Sequence, residues 1–177
     1  GDKKFKVRLP HLRGGKHAFV GIVEITNPDE TTFSCVVRDK TYDAEGYQEL
    51  VKDHPLAKEF LPELYGIIGN WAVMERLYGL ELEELDAKLE SDPDFRTKCA
   101  ESLFDLIYRT AHNGLVLQDF NFMSGHNCMV DTETGKIRLI EQRNLAPSSP
   151  YNPNEAITKQ LFSELGMYKS SKAWEPY

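Results

Sequence analysis

The chain has 177 residues and a formal net charge of −7, from 21 Lys and Arg against 28 Asp and Glu. That acidic balance argues against broad nucleic-acid or anionic-membrane binding, which needs clustered cations, while leaving room for a local basic pocket. Hydrophobic residues at 41% and charged residues at 28% fit a folded chain of one domain or two closely packed lobes, not a tail or a fibre. No apolar run approaches ~18 residues, so no membrane span is expected.

Three cysteines, Cys35, Cys99 and Cys128, are odd in number and lack CxxC spacing. They read as buried free thiols of a reducing, cytosol-like compartment, not as a disulfide framework or a zinc site. The basic start Gly1–Arg8 is followed by no apolar stretch and is not expected to be a secretory signal.

In chain order, Ala18–Ile25 and Thr32–Val37 are rich in β-branched residues and flank a loop with Asn27-Pro28-Asp29, which predicts an antiparallel hairpin. Asp43–Asp53 is a short helix, ended by His54-Pro55 because the residue before proline disfavours the α region. Leu56–Phe60 is another helical turn. Tyr65–Ile68 and Trp71–Met74 are strands around the turn pair Gly69-Asn70. From Leu80 the period becomes helical. Glu81–Glu90 is one helix, and its acidic side reads as a solvated face. Asp94–His112 is a longer one, with Phe95, Cys99, Leu103, Leu106, Ile107 and Thr110 near one face. Asn113-Gly114 caps it. Val116–Leu117, Cys128–Val130 and Ile137–Ile140 are short strands, the last two joined by the turn Asp131–Gly135. Ala146–Asn154 reads as a loop. The final helix, Pro153–Leu165, has Asn152 as N-cap and Gly166 just past its end. The class is α+β.

The chemistry concentrates between His112 and Glu141. A long helix ends at His-Asn-Gly, a short strand leads to Asp119 on a loop, Asn127 precedes a strand, and the next strand ends in a carboxylate. Phosphoryl transfer needs a carboxylate that orients the attacking hydroxyl, together with amide and carboxylate oxygens that hold magnesium against the phosphates. His112, His126 and His54 lack ligand spacing and read as structural.

This ordered set resembles the protein-kinase-like superfamily over roughly residues 12–141. The resemblance implies a two-lobed minimal kinase fold that holds ATP in a cleft, with an N-lobe over about 1–74, a hinge over 75–81 and a C-lobe over 82–177. It makes Asp119 the catalytic-loop aspartate, and Asn127 and Glu141 the ligands of magnesium or manganese. Ala72–Leu82 is similar to the hinge, with Met74 as gatekeeper, Glu75 and Leu77 offering backbone groups to adenine, and Glu81 near the ribose. His54-Pro55 is similar to the dipeptide that follows the family's first large helix. Gly14, Gly15 and Gly21 are candidates for a phosphate-covering loop, although their spacing is not GxGxxG and a plain turn fits them as well. The phosphate-binding cation is Arg38, which shares a face with Val36, or Lys40; its helix partner is Glu45 or Glu49.

The departures are specific. The HRD motif reads Leu117-Gln118-Asp119, the loop from Asp119 to Asn127 has three extra residues, and DFG reads Glu141-Gln142-Arg143. Only 36 residues follow Glu141 in this sequence, which points to a minimal member without an ordinary activation segment. Within the family the compact form resembles small bacterial secreted effector kinases. That implies Ser/Thr specificity, a host protein substrate such as the chaperone HSP90, delivery into host cytosol, and a monomer with no nucleic-acid or membrane partner. Two rivals share the fold: a pseudokinase binding module, favoured by the LQD and EQR replacements, and a small-molecule kinase, disfavoured by the missing length.

Overall fold

Two kinds of sequence period govern the architecture: alternating β-branched stretches in the first half and a 3.6-residue apolar stripe in the second. The structure, a computed structural model, describes residues 6–14, 19–39, 43–80, 82–123, 127–140, 142–148 and 152–168, without side chains at 6–19, 82–83 and 165–168. It is α+β, with a five-stranded antiparallel sheet, two two-stranded ladders and five α-helices among the described residues. The chain divides into two compact units: Gly1–Glu49 with Pro62–Arg76, and Leu50–Leu61 with Leu77–Tyr177.

The first unit holds β1 (Lys6–Gly14), β2 (Phe19–Thr26), β3 (Thr32–Arg38), β4 (Leu64–Ile68) and β5 (Trp71–Glu75), in the spatial order β1-β2-β3-β5-β4. The β2–β3 and β4–β5 hairpins follow the expected pattern. Gly69, with φ +59, makes the two-residue turn that lets Ile68 face Trp71. Strand β1 was not foreseen, because Pro10 and the flanking basic residues hide its period. It is an edge strand, where a missing amide donor is tolerated, and its register with β2 shifts between Arg8 and His11, around that proline. Helix α1 (Ala44–Asp53) starts at Asp43, whose Oδ1 accepts from the Gly46 amide at 2.9 Å. Val36 lies opposite Ile22 and Met74, and Arg38 opposite Val20 and Ala72, so these residues share one face of the sheet.

The second unit is built on α4 (Pro93–His112). Asp92 caps it by accepting from Phe95 N at 3.0 Å, Pro93 opens it, and Gly114 follows its end with φ +70. Its buried residues are those the stripe predicted, with Ala111 added. Around it lie α2 (Ala57–Phe60), α3 (Leu82–Ser91) and α5 (Pro153–Tyr168). The Arg109 guanidinium forks onto the Glu59 carboxylate at 2.7 and 3.0 Å, joining α4 to α2 and holding that carboxyl below its usual range. Strands β6 (Leu115–Leu117) and β9 (Leu145–Pro147) pair antiparallel, as do β7 (Cys128–Val130) and β8 (Ile137–Leu139).

Two expectations are corrected here. Ala146 and Pro147 belong to β9 and not to a loop, because the turn Gln142–Asn144 brings the chain straight back onto β6. Helix α5 runs through Gly166 to Tyr168, so that glycine does not end it. A close approach marks the segment before α3: Leu80 N donates to Val130 O at 3.0 Å, and a Cβ at Gly79 would meet the Val130 oxygen at 2.6 Å.

Cys35, Cys99 and Cys128 are buried and free. Burial pushes the Cys99 and Cys128 thiols up to about 12. At pH 8 a thiol-specific reagent should therefore leave all three unmodified in native protein and label them on unfolding. Leu106 is fully buried; Leu106→Ala should lower stability by about 3 kcal/mol in urea denaturation, the usual cost of removing a large side chain from a packed core.

Candidate active site

The short ladders of the second unit end at one cluster of side chains. Leaving β6, Gln118 donates its amide to Asn144 O at 2.8 Å. The next residue, Asp119, has φ +48, and Asn127, just before β7, has φ +57. Asp and Asn are the non-glycine residues that enter this left-handed region most readily, but doing so still costs free energy. Hydrogen bonds hold them there. Asn127 Nδ2 donates to Asp119 O at 2.6 Å and to Asp119 Oδ2 at 3.1 Å. Asn144, itself buried, donates from Nδ2 to Gln118 O at 3.1 Å and Asp119 O at 3.4 Å. Ile140 N donates to Asn127 O at 3.2 Å, tying the end of β8 to the same point. The Asp119 residue is exposed, so a solvent-borne reactant can reach it.

Between these two residues the loop dives inward. Phe120, Asn121 and Phe122 are buried, and α5 supplies the partners of their polar groups through Gln160, Ser163 and Glu164. Sequence reasoning missed Asn144 and these α5 residues. Asn144 stood beside the EQR departure, and Glu164 lay in a helix whose buried face was unassigned. Their only sequence signal is polar residues on otherwise apolar elements.

Of the sequence-predicted residues, Asp119 and Asn127 come together. Glu141, Lys40, Glu81 and Gly15 lie outside the described residues. Gly14 ends β1 opposite Phe19. Gly21 sits inside the ladder on β2, with Leu12 and Val37 as neighbours. Arg38 ends β3 on the face of Val36 and Met74. Glu45 and Glu49 are exposed on α1. Glu75 gives its amide to Glu63 O at 2.8 Å and accepts from Glu63 N through its carboxylate at 3.2 Å, so that amide is not available to a base. The Leu77 amide, beyond β5, makes no hydrogen bond among the described residues.

Asn127 turns its nitrogen to Asp119, and no donor among the described residues reaches its Oδ1. One amide oxygen beside one carboxylate is the oxygen chemistry that a hard divalent cation takes. Among the described residues there is no group of three His, Cys, Asp or Glu side chains placed to hold a metal. A mostly apolar hollow, lined by Ile107, Thr110, Leu115, Ala156 and Gln160, lies between α4, β6 and α5 and does not include Asp119. Among the described residues no helix is long and apolar enough to cross a membrane.

No protein-family model matches the chain, and no curated protein sequence matches it.

Replacing Asn127 separates its two contributions. Asn127→Ala loses the amide bonds and strains the backbone, whereas Asn127→Gly loses the bonds alone. Denaturant titration should find the glycine variant more stable than the alanine variant by about 1 kcal/mol, the usual left-handed penalty of a Cβ.

Proposed function

We propose that the chain is an ATP-dependent phosphotransferase of the protein-kinase-like superfamily that transfers a γ-phosphoryl group to a serine or threonine hydroxyl. The supporting observation is the meeting of Asp119 and Asn127, eight residues apart in sequence, with carboxylate and carboxamide 3.1 Å apart. In this reading Asp119 accepts the hydroxyl proton and orients the oxygen for in-line attack. Asp119 is exposed while Phe120, Asn121 and Phe122, which follow it, are buried. Asn127 has two tasks: its nitrogen fixes Asp119, and its oxygen would help hold a divalent cation. A bound magnesium or manganese ion would supply charge neutralisation at the phosphates. Catalysis is positioning plus charge stabilisation.

The departures from the family pattern have local compensations. Gln118 replaces the arginine that normally receives a phosphorylated activation loop. Here Asn144 binds both sides of that position, taking the Gln118 amide and donating to the Gln118 carbonyl. After Glu141 a three-residue turn leads directly into β9. The catalytic loop therefore has an anchor within its own unit and does not require a phosphorylated segment. The acceptor we propose is a protein, such as the chaperone HSP90 of a host cell into which a bacterial effector is delivered.

Purified protein with Mg-ATP and host lysate should label a protein acceptor, and Asp119→Ala should lower the rate ~10²–10⁴-fold, the range of a lost general base. Nucleotide binding without transfer would replace this reading with that of a binding module. Labelling of metabolites alone would move the acceptor to small molecules, and failure to bind nucleotide would end the assignment.

A further inference from the structure

We propose that Glu164 of α5 is a positioning residue that clamps the segment Phe120–Met123, which follows Asp119, and thereby holds Asp119 in its reactive setting. The inference rests on the phosphotransferase reading of Asp119 and adds to it a part that the family resemblance does not supply.

Four consecutive loop residues, Phe120–Met123, are held by one face of α5. Glu164 Oε1 accepts from Phe122 N at 2.9 Å, and Oε2 accepts from Met123 N at 3.1 Å. Gln160 Nε2 donates to Phe120 O at 3.4 Å and to Glu164 Oε1 at 3.2 Å. Asn121 Nδ2 donates to Ser163 O and Oγ, each at 3.3 Å. Positions 160, 163 and 164 are spaced i, i+3, i+4, which puts them on one side of the helix. Phe120, Phe122 and Met123 are thus bound at their backbone, and Asn121 through its side chain.

The use of a carboxylate here is informative. Glu164 is only 3% exposed, and no cation faces it among the described residues. Stability alone would favour an apolar residue at such a position, since burying a lone charge is costly unless N–H groups surround it. The three donors that surround it are two loop amides and Gln160. Its two oxygens take the adjacent amides of Phe122 and Met123 one each, in the segment that follows Asp119. Burial pushes the Glu164 carboxyl above its usual range in spite of those bonds. The titratable group facing it from the neighbouring strand is the Cys128 thiol. The folded value is raised, so the protonation contribution of Glu164 to stability is complete below the unfolded pKa of about 4.3. It is lost as pH rises through the folded value.

The test compares wild type with Glu164→Gln, which keeps the shape but turns an NH2 group towards one of the two amides. The kcat for protein phosphorylation should fall about 10²-fold, while KM for Mg-ATP stays within about twofold, because a displaced base slows chemistry without removing nucleotide contacts. The amide hydrogens of Phe122 and Met123 should exchange faster in the variant, and the Asn127 side-chain amide signals should move. If Glu164→Gln does not fold, Gln160→Met, which removes the two Gln160 bonds, should give the same kcat-only loss at about tenfold. Unchanged kcat together with unchanged Asn127 signals overturns the clamp. Should wild type transfer no phosphate at all, the functional reading falls, and amide exchange and the Asn127 signals still decide whether Glu164 shapes the loop.

Discussion

One side-chain amide sets the geometry of the candidate site. The bond from Asn127 Nδ2 to the Asp119 carbonyl, at 2.6 Å, joins two residues in left-handed backbone, a conformation neither would hold unaided. Asp119 follows one short strand and Asn127 precedes another, and strands of three residues have little stability of their own. Asn144 closes the remaining side by bonding both Gln118 and Asp119. Local strain at 119 and 127 is therefore balanced by a small polar network of Asn127, Asn144 and the Asp119 carbonyl. Such networks specify geometry better than they contribute net stability.

That network stands on α4. Its buried stripe from Phe95 to Ala111 forms the floor of the second unit, and β6 starts within three residues of its C-terminal cap. The cap matters because Gly114 turns the chain while its carbonyl accepts from Ser148 N at 3.0 Å, which extends the β6–β9 ladder past its last pair. Any change in where α4 ends would move both strands that lead to Asp119 and Asn144. Helix α5 completes the arrangement from the far side through a carboxylate and two polar neighbours.

Sequence legibility followed the strength of local signals. Helix α4 was readable to its core residues because Asn113-Gly114 marks its end and an apolar stripe runs along it, while the start signals Asp92 and Pro93 went unread. The β2–β3 and β4–β5 hairpins were readable from β-branched runs around Asn-Pro-Asp and Gly-Asn. Strand β1 was not, since proline and basic residues break alternation on an edge strand. Strand β9 was not, because Leu145-Ala146-Pro147 is too short to carry a period and owes its pairing to the preceding turn. Gly166 misled because packing along α5 outweighs the modest helix penalty of one glycine. Within the site, Asp119 and Asn127 were legible as residue types flanking strands. Asn144 and Glu164 were not, since their roles depend on long-range hydrogen bonds to backbone groups.

The contact at Gly79 links the segment after β5 to β7. With the Val130 oxygen 2.6 Å from where a Cβ would stand, the two backbones touch at the closest spacing the chain permits. Val130 is three residues beyond Asn127 on a strand too short to bend. One added methyl group at position 79 would consequently act as a wedge whose displacement travels along β7 and opens the Asn127–Asp119 gap, although position 79 itself holds no functional group.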